Sequence, residues 1–195
     1  MDWAYVRRAR LLHLTGVTPG LGPACRALVA RALREAAGAG VLRSFDINYR
    51  ARLWSPEEMA EALTPLLAGV DLLFSTAADA RTVFGLDGPR EELAGALRER
   101  FGAATVVVTD EARAVALHGG ALEGRAGYPV ESVDRIGAGD AFAAGFIHGF
   151  LAGAVGRGLE YGLALAALKH TFLGDIAWAT EDDVRRLISG QDSWR

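Results

Sequence analysis

The chain has 195 residues, 51% of them apolar, with 24 glycines, a single cysteine and a formal net charge of −3. That is ample apolar material for the core of one domain, and the acidic balance gives nucleic acid or an anionic membrane no electrostatic footing. Cys25 has no second cysteine for an internal disulfide. No apolar run approaches the roughly 20 residues of a membrane span, and Asp2 followed by Arg7, Arg8 and Arg10 is not a signal-peptide layout; a cytoplasmic domain is expected.

In chain order, residues 3–9 suit a short helix and Leu11–Thr15 a buried strand that stops at Gly16. Pro19, Gly20, Gly22 and Pro23 mark a loop. Ala24–Ala37 carries apolar residues at helical spacing and ends at Gly38 and Gly40, a C-terminal signal. Val41–Ile47 is the next strand, with Asp46, Asn48, Arg50 and Arg52 at its carboxyl end. Ser55-Pro56-Glu57-Glu58 is a capping box with proline at the first helical position, so a helix runs from there to about Ala68. Asp71–Ser75 is a short strand, followed by helices over 78–84 and 90–101. Thr105–Thr109 is β-branched or apolar throughout, as in a strand buried on both faces. Ala114–His118 and Ala121–Tyr128, split by Gly119-Gly120, suggest a hairpin. Helices over about 138–153, 158–172 and 181–189 close the chain.

Strand and helix alternate with short connections, and neither a repeat nor a linker interrupts them. The expectation is a single α/β domain over residues 1–195, with a mostly parallel sheet and helices on both faces. Ligands of such sheets bind beyond the carboxyl ends of the strands. The Asp46–Arg52, Thr109–Ala114 and Gly137–Asp140 segments are placed there.

The stretch with the most chemistry is Asp134-Arg135-Ile136-Gly137-Ala138-Gly139-Asp140-Ala141-Phe142. Three small residues precede an apolar helix and leave its backbone open to close approach. The free N–H groups and dipole of a helix start form an anion site. Asp140, in the first turn, can accept a proton from an attacking hydroxyl. The competing reading makes Asp140 only an N-terminal acid, with Phe142, Phe146 and Phe150 as core and Gly145 and Gly149 on a close-packed stripe.

This stretch resembles the Asp-Thr-x-Gly-Ala-Gly-Asp-x-Phe signature of the ribokinase-like (PfkB) sugar kinases. Within that family Phe45-Asp46-Ile47-Asn48-Tyr49-Arg50 with Leu53-Trp54, Leu12-His13-Leu14-Thr15-Gly16 and Leu168-Lys169-His170-Thr171 are similar to the 2-keto-3-deoxygluconate kinases. The resemblance implies an ATP-dependent kinase acting with Mg²⁺ on the 6-hydroxyl of that sugar acid. Asp140 matches the base, and the amides of Gly137, Ala138 and Gly139 match the anion hole. Arg50 matches the residue that grips the substrate carboxylate, which a guanidinium fork suits. Asn48, Tyr49 and Arg50 match residues near substrate and nucleotide. Val108, Thr109, Asp110, Glu111, Ala112 and Arg113 match part of the loop under the ATP phosphates. The implied partners are ATP and a small sugar acid, with neither nucleic acid nor membrane and with the oligomeric state left open.

Each role has a plainer rival. Arg50 could pair with Asp46, Asn48 could serve its own turn, and Trp54 reads as core. The four histidines read as structural or surface groups and Cys25 as an inert buried thiol.

The chain also departs from the family. Arg135 stands where threonine is usual, Glu111-Ala112-Arg113-Ala114 replaces a Gly-x-x-Gly phosphate loop, and Thr76-Ala77-Ala78-Asp79 replaces Asn-x-x-Glu. Asp79 keeps a charge on a shorter stem and is assigned a water-mediated Mg²⁺ contact. The resemblance starts about one third into the family pattern, so the N-terminal strands and the lid are expected to be missing, with little kinase activity as a result. Two alternatives stay open: a non-catalytic remnant that binds nucleotide weakly or binds a partner, and a kinase for a neutral sugar such as fructose or ribose.

Overall fold

The computed structural model describes residues 1–190, and the chain falls into two compact units. The first comprises Met1–Asp110 with Leu117–Ala121, and the second Glu111–Ala116 with the chain from Leu122 onward. A six-stranded sheet runs in chain order, β1 to β6.

In the first unit α1 (Trp3–Val6) starts where the Asp2 carboxylate accepts the Ala4 and Tyr5 N–H groups. It is shorter than the 3–9 expected. β1 (Leu11–Thr15) has the expected bounds. One helical turn, α2 (Val17–Gly20), lies inside the expected loop; Pro19, whose fixed φ suits a helical turn, is buried there. α3 (Pro23–Gly38) begins on its proline, and β2 (Leu42–Asp46) follows. α4 (Pro56–Leu67) has the reciprocal capping box in place, Ser55 Oγ accepting the Glu58 N–H and Glu58 Oε2 accepting the Ser55 N–H. β3 (Leu72–Thr76), α5 (Ala77–Phe84), α6 (Arg90–Phe101) and β4 (Thr105–Asp110) complete the alternation.

β1, β2, β3 and β4 pair in parallel, with Thr15 opposite Asp46, Asp46 opposite Phe74 and Thr76 opposite Thr109. Phe45, Leu72, Leu73, Val106, Val107 and Val108 are wholly buried. Each such side chain contributes about 1.5–3 kcal/mol of burial, so these apolar positions anchor the sheet. In parallel pairing the carboxyl ends of β2, β3 and β4 share one edge, which collects the residues that follow them.

β4 turns into β5 (Arg113–His118) through Glu111-Ala112, with Glu111 at φ 51°. The Thr105 hydroxyl and His118 Nδ1 lie 2.8 Å apart across the base of this turn. β6 (Ala121–Ala126) is two residues shorter than expected.

In the second unit α7 (Ala138–Leu151) and α8 (Val155–Lys169) pack tightly against each other. A methyl at Gly145 would stand 2.5 Å from the Tyr161 carbonyl, and one at Gly149 2.6 Å from that of Arg157. Gly158 and Gly162 answer from the other helix, against the Phe146 and Phe142 carbonyls. The small-residue stripe is therefore the contact itself, and it lets the backbones meet. α8 starts three residues before the expected 158, because Gly156 and Gly158 weaken the helical signal there. It ends at Lys169 rather than 172. α9 (Glu181–Ser189) carries a second capping box, Thr180 with Asp183.

Candidate active site

Two groups of candidate residues are assembled, one within each unit. In the first unit Asn48, Tyr49 and Arg50 leave the carboxyl end of β2 and Asp79 lies in the first turn of α5, just past β3. Asn48 adopts φ 46°, a left-handed conformation that asparagine tolerates better than most residues. This bend delivers the Tyr49 N–H to Asp79 Oδ2 at 3.3 Å. Thr76 Oγ1 caps α5 by accepting the Asp79 N–H at 2.9 Å, so the Thr-x-x-Asp segment holds its acid in place. Burial raises the Asp79 pKa above its ordinary value, against the Tyr49 N–H, the Thr76 hydroxyl and the nearby Arg50 charge, which lower it. A desolvated carboxylate of this kind is further stabilised by an added cation. Arg50 is exposed, and its Nη1 donates to the Tyr49 carbonyl at 3.2 Å.

The nucleotide-loop candidates divide by exposure. Val108 is wholly buried, so only its main chain can meet a ligand. Thr109 and Asp110 are half-buried, and Asp110 Oδ2 lies 3.8 Å from Arg90 Nη1. Glu111, Ala112 and Arg113 are exposed.

In the second unit Gly137 is the N-cap residue of α7 at φ 82° and offers no side-chain cap. A methyl on it would collide with the Asp175 carbonyl. The Ala138 N–H donates to the Arg135 carbonyl at 3.2 Å. Among the described residues the N–H groups of Gly137, Gly139 and Asp140 have no acceptor. A methyl on Gly139 would meet nothing within 4 Å, so the space beside that residue is open. Asp140 is exposed and forms no ion pair among the described residues. Unpaired amides at a helix start, beside an unengaged carboxylate, can bind an anion and take up a proton.

Two residues that the sequence motifs contain but that were given no role hold this turn. Asp134 Oδ1 accepts the Ile136 N–H at 2.9 Å and Oδ2 the Gly174 N–H at 3.0 Å. These amide bonds, Ile136 first, lower its pKa, with Lys169 and His170 adding to the effect. Lys169, wholly buried, donates from Nζ to the carbonyls of Asp134 at 3.2 Å and Phe172 at 3.0 Å. The Asx pattern of Asp134 with Ile136 was within reach of the sequence; the Lys169 contacts were not.

The plainer assignments hold for Trp54, which is 8% exposed and core. His13 bonds Ser44, His118 bonds Thr105, His148 lies 3.4 Å from Glu181, and His170 bonds Ser132. Among the described residues no cluster of three His, Cys, Asp or Glu could hold a metal. Cys25 is half-buried, not fully buried as expected, because its position on α3 lies beside the exposed face of that helix. Among the described residues no helix is long and apolar enough to cross a membrane.

The model of the pfkB family of carbohydrate kinases matches residues 1–180. A 2-dehydro-3-deoxygalactonokinase of Haloferax volcanii is 40% identical over 190 residues, covering 96% of this chain and 60% of that protein. The crystal structure of a 2-dehydro-3-deoxygluconokinase from Thermotoga maritima superposes with a TM-score of 0.90 at 30% identity, over 97% of this chain and 63% of that one. An E. coli ribokinase II structure in complex with ATP and Mg²⁺ gives a TM-score of 0.87 at 24% identity, over 97% and 62% of the two chains. The chain thus spans about 60% of the length of these relatives. With the motif order, the sheet topology and the family match in agreement, this chain belongs to the pfkB family of carbohydrate kinases.

Proposed function

We propose that this chain carries the phosphotransfer chemistry of an ATP-dependent kinase for a 2-keto-3-deoxy sugar acid, acting on its 6-hydroxyl in the cytoplasm. The observation that carries this reading is the head of α7, where an exposed Asp140 adjoins free amides and Gly139 borders open space. The names of the Haloferax and Thermotoga relatives support the substrate class.

Asp140 takes the proton of the sugar hydroxyl as that oxygen attacks the γ-phosphorus and the bond to ADP breaks. The amides of Gly137, Gly139 and Asp140 face the charge developing on the transferred group, where fixed donors act most strongly. Ala138 supplies the small side chain that keeps the turn open. Arg50 grips the sugar carboxylate, and its exposed guanidinium has donors to spare beyond the Tyr49 carbonyl. Asn48, Tyr49 and residues 108–113 border the nucleotide.

Asp79, a desolvated carboxylate, would be the residue to hold Mg²⁺, as a single carboxylate suffices for an ion that keeps several waters. When bound, Mg²⁺ neutralises phosphate charge.

Calorimetry with ATP and Mg²⁺, followed by a coupled assay of ADP release on 2-keto-3-deoxygluconate, tests this. Micromolar nucleotide binding is expected, and whatever sugar-dependent ADP release the chain shows, small on the expectation above, should fall by about 10²–10⁴-fold in Asp140→Asn while nucleotide binding persists. The absence of binding heat would leave the remnant reading instead, which the exposed Glu111 carboxylate in the β4–β5 turn favours. Unchanged turnover in Asp140→Asn would remove the base.

A further inference from the structure

Of the 21 cationic side chains in this chain, one is a lysine, Lys169, and the other 20 are arginines. That single lysine is also the only wholly buried cation among the described residues. A charge in that position is expensive unless it is well paired. Lys169 meets the requirement with main-chain oxygens drawn from two segments of chain, Asp134 before α7 and Phe172 after α8.

The same two segments are laced together around it. The Val133 and Asp134 N–H groups donate to the His170 carbonyl at 2.8 and 3.2 Å. The Asp134 carboxylate takes the Gly174 N–H, and Gly137 sits against the Asp175 carbonyl. The carbonyl of Asp134 is thus held from one side and its carboxylate from the other, six residues before Asp140. An ammonium is a compact point charge that fits a closed space lined by carbonyls; a guanidinium is a broad planar fork. In a chain that uses arginine at every other cationic position, this site alone takes the compact group.

We propose that Lys169 is a positioning residue for phosphotransfer: a built-in cation whose ammonium pins the Asp134–Gly137 turn and so sets the direction of the free amides at the head of α7. This rests on the phosphotransfer reading above. Truncating the side chain leaves a small cavity lined by the carbonyl oxygens of Asp134 and Phe172, a site for a monovalent cation of ammonium size.

The test compares wild type with Lys169→Ala, Lys169→Met and Lys169→Arg. Amide hydrogen exchange over residues 133–137 and 170–175 should quicken in all three while helix content is kept. Affinity for Mg·ATP should fall by about tenfold or more in Lys169→Ala. Ammonium or methylammonium chloride should restore much of it, and tetramethylammonium chloride at equal ionic strength should not. Wild-type exchange in Lys169→Met, or a loss in Lys169→Ala that no small cation restores, overturns the proposal. Unfolding of all three variants also overturns it, in favour of a purely structural lysine. If wild type binds no nucleotide, the phosphotransfer reading falls, and the exchange data judge the pinning of the turn on their own.

Discussion

At the scale of single residues, the two acids flanking the glycine turn stand in opposite surroundings. Asp140 is exposed and unengaged, as the proton acceptor proposed above must be before substrate arrives. Asp134 spends both carboxylate oxygens on main-chain amides, which lowers its pKa. In the window between its folded and unfolded pKa values the native chain binds fewer protons, so stability rises with pH there. The contribution is whole above the ordinary carboxylate pKa and is lost as the pH falls through the lowered folded value. Urea unfolding at a series of acidic pH values should therefore show Asp134→Asn less stable than wild type near neutrality, with the difference shrinking as the medium is acidified. A constant difference across that range would mean that Asp134 acts through shape and not through charge. Asp79 has the reverse sign: burial raises its pKa, so whatever it contributes is greatest below its ordinary pKa and declines as pH rises through the folded value.

Among the elements, α7 does two things with the same residue type. Gly145 and Gly149 face α8, where an added methyl would strike main-chain carbonyls that cannot swing away. Gly139, at the open end, faces nothing. Gly149→Ala is expected to lose about 1–3 kcal/mol, the usual range for overpacking. Gly139→Ala should gain up to about 1 kcal/mol, because alanine is the better helix former, while weakening Mg·ATP binding by crowding the amides. Denaturant unfolding and calorimetry on the two variants measure both effects, and equal stability changes would contradict the packing account. Much of this scale was readable beforehand. The capping box at Ser55–Glu58, the apolar run of β4 and the bounds of β1 and α6 arise from neighbours a few residues apart. The end of α8 was not readable, because the turn after Lys169 is held by contacts with residues some 35 positions earlier. The helical turn α2 was missed because Pro19 and Gly20 signal a loop as readily as a turn of helix.

For the whole molecule, ligand binding is read in the stability of the folded chain. A ligand at a hundredfold excess over its Kd stabilises the folded state by about 2.7 kcal/mol. At this chain length about 2–4 °C accompany each kcal/mol, so saturating Mg·ATP should raise the melting temperature by roughly 5–10 °C. Adding 2-keto-3-deoxygluconate should raise it further. Arg50→Ala should reduce the sugar increment more than the nucleotide increment, since only an acid substrate needs the guanidinium. An undiminished sugar increment in Arg50→Ala would point to a neutral sugar.

Family membership, the order of strands and helices, and the position of Asp140 at a helix start were already legible in the linear chain, because periodicity, caps and short motifs are local properties. Folding alone revealed which amides at that helix start are free, that Ala138 has turned its N–H to Arg135, and that one buried ammonium joins two distant loops. Those features depend on residues remote in sequence meeting at main-chain oxygens, and main-chain oxygens look the same at every position of a sequence.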